Sequence, residues 1–94
     1  MRRKADNILY HELLGLEARI LSSTDPGVEG LEGVVVDETM KTLKILGGDG
    51  KIRTVFKLGS VFKFRIPETG EEVVVMGDKI IGRPSDRAKR LVRV

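Results

Sequence analysis

The sequence predicts a mainly β fold, a small sandwich or barrel of six short strands, on three observations. Alternating or β-branched runs recur at nearly even spacing, and each is bounded by Gly, Asp or Pro turn signals. The chain has 94 residues, 40% hydrophobic and 33% charged, which is the size and composition of one small globular domain.

The first strand is expected over about Leu16 to Ser22, where Leu16, Ala18, Ile20 and Ser22 alternate with Glu17, Arg19 and Leu21. Ser23-Thr24-Asp25-Pro26-Gly27 ends it. The second, Leu31 to Asp37, contains Val34-Val35-Val36 and reads as apolar on both faces, with Gly30 and Gly33 permitting a bend. Thr42 to Leu46 forms the third, and Gly47-Gly48-Asp49-Gly50 joins it as a hairpin to the fourth, Lys51 to Lys57. In the fifth, Val61 to Ile66, Phe62, Phe64 and Ile66 share one face and Lys63 and Arg65 the other. Glu72 to Met76 is the sixth, followed by a short extended piece, Lys79 to Gly82.

The ends change period. Ala5-Asp6-Asn7 offers helix caps before Ile8, Leu9, Leu13 and Leu14, so a short amphipathic helix ending at Gly15 is expected. Pro84 suits a first helical position, and Arg87, Arg90 and Val94 trace one face of a basic helix. The organisation is therefore a basic extension and short helix over 1–15, a barrel over 16–82 and a basic helix over 83–94, all within one domain.

Charge is polarised along this frame. Arg2, Arg3 and Lys4 open the chain, and Arg83, Arg87, Lys89, Arg90 and Arg93 close it against Asp86 alone. Residues 5–40 carry a net charge of −7 and residues 41–65 a net charge of +6. A polyanion would be drawn to the second block and the tails, and repelled by the acidic block. RNA binding needs cations that track phosphates and donors that reach riboses or base edges. With Phe62 and Phe64 expected in the core, base stacking is not the obvious mode. Phosphate contacts and the shape of a folded RNA are expected to dominate instead.

Several classes are disfavoured. Without cysteine there is no disulfide or thiolate zinc site, and His11 alone is too few nitrogen ligands for a His-rich metal centre, so no cofactor is implied. His11 and Glu12, the one acid–base pair, point about 100° apart on a helix and make a poor couple. Asp37-Glu38 and Glu71-Glu72 read as turn or solvated acids. No run approaches the roughly 18 apolar residues of a membrane helix, and no signal-peptide core follows Met1. A soluble, cytoplasmic protein is expected.

Several separated motifs carry a family resemblance from about Asn7 to Arg90. They are Asn7-Ile8 with His11-Glu12-Leu13-Leu14-Gly15-Leu16, Gly33-Val34-Val35-Val36-Asp37-Glu38-Thr39, Thr42-Leu43, Val61-Phe62-Lys63-Phe64, Gly77, and Gly82-Arg83-Pro84 with Asp86-Arg87. Their order and spacing resemble the archaeal ribonuclease P protein component 1 family. Three departures are visible: Lys41 stands where the family often has Asn, Ser85 where it has an acid, and Phe56 where it has a proline before the lysine.

The resemblance implies a strongly bent, six-stranded antiparallel Sm-like β-barrel and a role as a non-catalytic subunit of the endonuclease that removes 5′ leaders from precursor tRNA. It implies that the RNA, with magnesium, performs the hydrolysis. The implied partners are ribonuclease P RNA, a zinc-ribbon protein subunit as heterodimer, and other ribonuclease P proteins. The expected RNA contacts are Arg2, Arg3, Lys4, Lys41, Lys57, Lys63, Arg83, Arg87, Lys89 and Arg90. The expected protein-partner surface is Ile8, Leu9, His11, Glu12, Leu13 and Leu14, and the acidic first half would fit a basic partner. The free chain is expected to be a monomer. The alternative is a non-catalytic protein-interaction barrel in another ribonucleoprotein.

Overall fold

The computed structural model describes residue 3, residue 8 and residues 11–87. Six antiparallel strands make one sheet: β1 (Glu17–Ser23), β2 (Glu32–Glu38), β3 (Thr42–Gly47), β4 (Ile52–Phe56), β5 (Ser60–Arg65) and β6 (Glu72–Met76). The spatial order is β4-β3-β2-β1-β5-β6. Every strand expected from the alternation is present, with ends shifted by a residue or two.

Period-two alternation puts one face of each strand into a common core. Leu16, Ala18, Ile20, Val35, Leu43, Ile45, Val55, Phe62, Phe64, Ile66 and Val75 are all buried. Phe62 and Phe64, two apart on β5, stack with ring centroids 5.5 Å apart. Two bulges bend the sheet. Register shifts between Ile20 and Ser22 on β1, leaving Ser22 exposed where simple alternation would turn it inward, and between Val35 and Asp37 on β2. The second bulge reverses the expected alternation: Asp37 pairs with Lys44 on the outer face, while Glu38 pairs with buried Leu43 on the core side. The Val triplet is consequently buried at Val35 alone, and Val34 and Val36 are exposed, in contrast to the two-sided burial expected.

The edge strands β4 and β6 approach each other at one end. A Cβ on Gly77, just after β6, would lie 1.6 Å from the carbonyl oxygen of Lys57, just after β4. Of the piece expected to be extended, Lys79 to Gly82, the first two residues belong to a 3-10 turn, Gly77–Ile80, that buries Ile80, while Ile81 is extended. The β3–β4 connection is the expected hairpin, with Gly50 at φ +81 and its N–H donating to Gly47 O at 3.0 Å.

At the N-terminal end Ile8 lies in a 3-10 turn, its carbonyl accepting the His11 N–H at 3.2 Å, and residues 5–7, 9 and 10 of the expected helix lie outside the described residues. The helix does not run on to Gly15: Ile8 and Leu13 are buried in the core, and the chain turns so that Leu16 N donates to Leu13 O and Gly15 N to Val35 O. At the other end residues 84–87 are helical, and the remainder of the expected basic helix lies outside the described residues.

Gly33 marks the tightest strand contact. A Cβ there would meet Leu46 O at 2.1 Å, on backbone that cannot move without breaking the β2–β3 ladder. Gly33→Ala is expected to destabilise by about 3 kcal/mol or more in denaturant titration. Gly48→Ala, with open space around it, should change stability by no more than about 1 kcal/mol.

Candidate RNA interface

Two of the cations expected to face RNA are instead buried, and they organise one end of the molecule. β4 continues its alternation past Val55, so Phe56 points out and Lys57 points in. Lys57 Nζ donates to Glu38 Oε2 (2.8 Å), Thr39 O (2.8 Å), Met40 O (3.3 Å) and Gly82 O (2.9 Å). The Arg87 guanidinium comes from the C-terminal helical turn and pairs with the same Glu38 carboxylate. It also donates to Gly82 O (2.6 Å), Ile80 O (3.2 Å) and His11 O (2.8 Å). All three side chains are nearly or wholly inaccessible to water.

One carboxylate thus serves two buried cations, and five backbone carbonyls take up the remaining donors. Among the described residues no buried side-chain nitrogen or oxygen lacks a partner. Burial pushes the Lys57 ammonium below its usual pKa of 10.5, and the Glu38 carboxylate offsets only part of that. Lys57 and Arg87 are therefore corrected from phosphate contacts to structural cations, and Glu38 from a solvated acid to their shared counter-ion. Withdrawing either cation from the cluster to meet a phosphate would break its Glu38 pair.

The other expected contacts divide. Arg3 is half-buried, its guanidinium on Glu68 (2.8 Å) and Leu14 O (2.6 Å), and it holds the Glu68 carboxyl below the usual carboxylate range. Lys63 is half-exposed and pairs with Glu72 at 3.2 Å. It lies with Arg19 and Arg65 in an outer groove of about 580 Å³, where Glu32, Glu72 and Glu17 oppose the three cations one for one. That groove is charge-balanced. Lys41 and Arg83 are exposed and have no ion pair among the described residues. The bond from Gly82 N to Met40 O (2.8 Å) brings the segments bearing them side by side.

Lys79, in the 3-10 turn just before Gly82, is a further exposed cation at this end and was not anticipated. Arg2, Lys4, Leu9, Lys89 and Arg90 lie outside the described residues. Of the expected partner surface, Ile8 and Leu13 are core residues and are corrected accordingly, while Glu12 and Leu14 are exposed and His11 half-exposed. No group of three or more His, Asp or Glu residues is placed to hold a metal ion among the described residues.

Removing the shared counter-ion should be severe. Glu38→Ala strands two buried cations and is expected to cost about 3–5 kcal/mol in denaturant unfolding. Because the Lys57 pKa is lower folded than unfolded, the folded state loses its proton first. The Lys57 contribution to stability should therefore rise with pH from the folded pKa up to 10.5. The difference in unfolding free energy between wild type and Lys57→Met, followed across the alkaline range, checks that sign.

Comparison with known proteins agrees with the geometry. The family model for ribonuclease P/MRP, subunit p29, matches residues 6–90. The ribonuclease P protein component 1 of Desulfurococcus amylolyticus is 52% identical over 93 residues, covering 99% of this chain and 100% of the relative. That of Hyperthermus butylicus is 48% identical over 94 residues, covering 100% and 84%. A solved structure described as Mth11, a homologue of human RNase P protein Rpp29, superposes with a TM-score of 0.60 at 45% identity, covering 82% of this chain and 97% of its own. With its six-stranded antiparallel sheet and a match over nearly its whole length, the chain belongs to the ribonuclease P/MRP subunit p29 family.

Proposed function

We propose that this chain is an RNA-binding, non-catalytic subunit that stabilises the catalytic RNA of ribonuclease P during removal of 5′ leaders from precursor tRNA. The observation that carries the reading is the end of the sheet where Lys41, Lys79 and Arg83 are exposed with no ion pair among the described residues. They stand beside a backbone rigidified by the Glu38 cluster, and family membership supplies the RNA they would serve. Lys89 and Arg90 follow Arg83 in sequence and add to the cationic character of the C-terminal stretch.

The work asked of the protein is electrostatic. Each lysine or arginine that meets a phosphate releases condensed counter-ions, so affinity falls steeply with salt. Positions held by a fixed backbone favour one fold of the RNA over its alternatives, while magnesium bound by the RNA supplies the hydrolytic chemistry. The zinc-ribbon subunit is the proposed protein partner, on the surface bearing His11, Glu12 and Leu14. The exposed acid Glu12 on that surface would suit a basic protein.

Reconstitution tests the reading. Titrated with and without the zinc-ribbon subunit into ribonuclease P RNA at limiting magnesium, the protein should stimulate precursor-tRNA cleavage, with none when RNA is omitted. Absence of both RNA binding and stimulation would leave the protein-interaction barrel as the better reading. The double variant Lys41→Ala, Arg83→Ala should keep the wild-type melting temperature and lower the slope of log K against log salt by roughly 1.4–1.8.

A further inference from the structure

The largest exposed aromatic surface among the described residues lies away from the ion-paired groove. Phe56 is 65% exposed at the end of β4, an edge strand that pairs only with β3. Its cross-strand partner is Thr42, so it sits between Lys41 and Lys44 as projected onto β3. A rise of about 3.3 Å per residue puts those lysines roughly 10 Å apart along the strand. Both are exposed, and neither has an ion pair among the described residues. The acid opposite Lys44 is Asp37, whose Oδ1 accepts the Glu38 N–H at 2.9 Å.

The ring is also set apart from the apolar row on the same outer face. Ile52, Leu46 and Val34 are exposed and paired rung by rung across β4, β3 and β2. The polar rung Lys44–Thr54 separates that row from Phe56. Met40 and Leu58, also exposed, lie past the strand end near the tight turn at Lys57. An aromatic face on an edge strand, with Lys44 on the same outer face one rung away and Lys41 exposed just before β3, has the parts of a single-strand stacking platform. A π-face takes any base, and the lysine beside it takes a flanking phosphate.

We propose that Phe56 stacks an unpaired nucleobase of the bound RNA, with Lys44 on an adjoining phosphate. The proposal rests on the RNA-binding reading above and adds to it a contact that phosphate attraction alone does not supply. Stacking is insensitive to salt, whereas the lysine contact is not. Loss of the ring and loss of a lysine should therefore leave different signatures.

The experiment measures binding of the full chain to ribonuclease P RNA as a function of salt. Phe56→Ala should weaken affinity by about 5- to 150-fold with the salt slope unchanged. Lys44→Gln should lower the slope by roughly 0.7–0.9. Phe56→Trp should bind like wild type, and because the chain has no other tryptophan, its emission should be quenched as RNA saturates the protein. Wild-type affinity in Phe56→Ala together with unchanged emission from Phe56→Trp would overturn the proposal. If Phe56→Ala then lowered affinity for the zinc-ribbon subunit, the ring would belong to a protein contact. Failure of wild type itself to bind RNA would instead sink the functional reading on which the proposal stands.

Discussion

Glu38 is the side chain on which this structure depends. A carboxylate inside a small β-domain is costly unless its charge is met and its lone pairs are filled, and here Lys57 and Arg87 do both. The two cations in turn need more acceptors than one carboxylate offers, and the carbonyls of His11, Thr39, Met40, Ile80 and Gly82 provide them. Those oxygens come from the N-terminal segment, the β2–β3 turn and the stretch that follows β6. A single polar cluster therefore ties together pieces that the apolar core anchors only through residues such as Leu13 and Ile80, and the surface built on those pieces inherits their placement.

The same cluster changes how the charge of the chain should be counted. By sequence, residues 41–65 form the strongest internal cationic block. In the fold, Lys57 is withdrawn from the surface, Arg53 is held by Asp49, and Lys63 and Arg65 face Glu72 and Glu17. Lys41, Lys44 and Lys51 remain exposed without such partners among the described residues. The polyanion-attracting surface is thus smaller and more localised than the block charge implies. Apart from Lys51, in the β3–β4 hairpin, these cations sit toward the end of the sheet where Lys79 and Arg83 also emerge. Exposed pairs of the kind in the outer groove add little stability.

Strands, hairpin and core aromatics were legible because they follow from period two and turn chemistry, which are local. The family was legible because ordered motifs recur along the chain. The roles of Glu38, Lys57 and Arg87 were not, for separate physical reasons. Simple alternation from Val35 would send Asp37 inward and Glu38 outward, and the bulge at Val36 reverses both. On β4, Ile52 and Phe56 make the more apolar face by composition, yet tertiary packing buries Val55 and Lys57 instead. Arg87 meets Glu38 across 49 residues of sequence, a distance that no local pattern reports. The C-terminal limit of the N-terminal helix was not legible either, since residues 11–15 leave a helical path and Leu13 turns into the core.

The span of the Glu38 cluster also bears on the order of events in folding. Its bonds join His11 to Arg87 across 76 residues and Glu38 to Lys57 across 19. The short hairpins β3–β4 and β5–β6 can close by themselves, but the cluster needs nearly the whole chain to have been synthesised and brought together. Until Arg87 arrives, Glu38 and Lys57 have water as a partner, and the surface that will become their chamber is open. Docking of the C-terminal turn closes it. Contacts made after the folding transition state act mainly on the rate of opening, so a cluster completed last would set the lifetime of the domain more than its speed of formation.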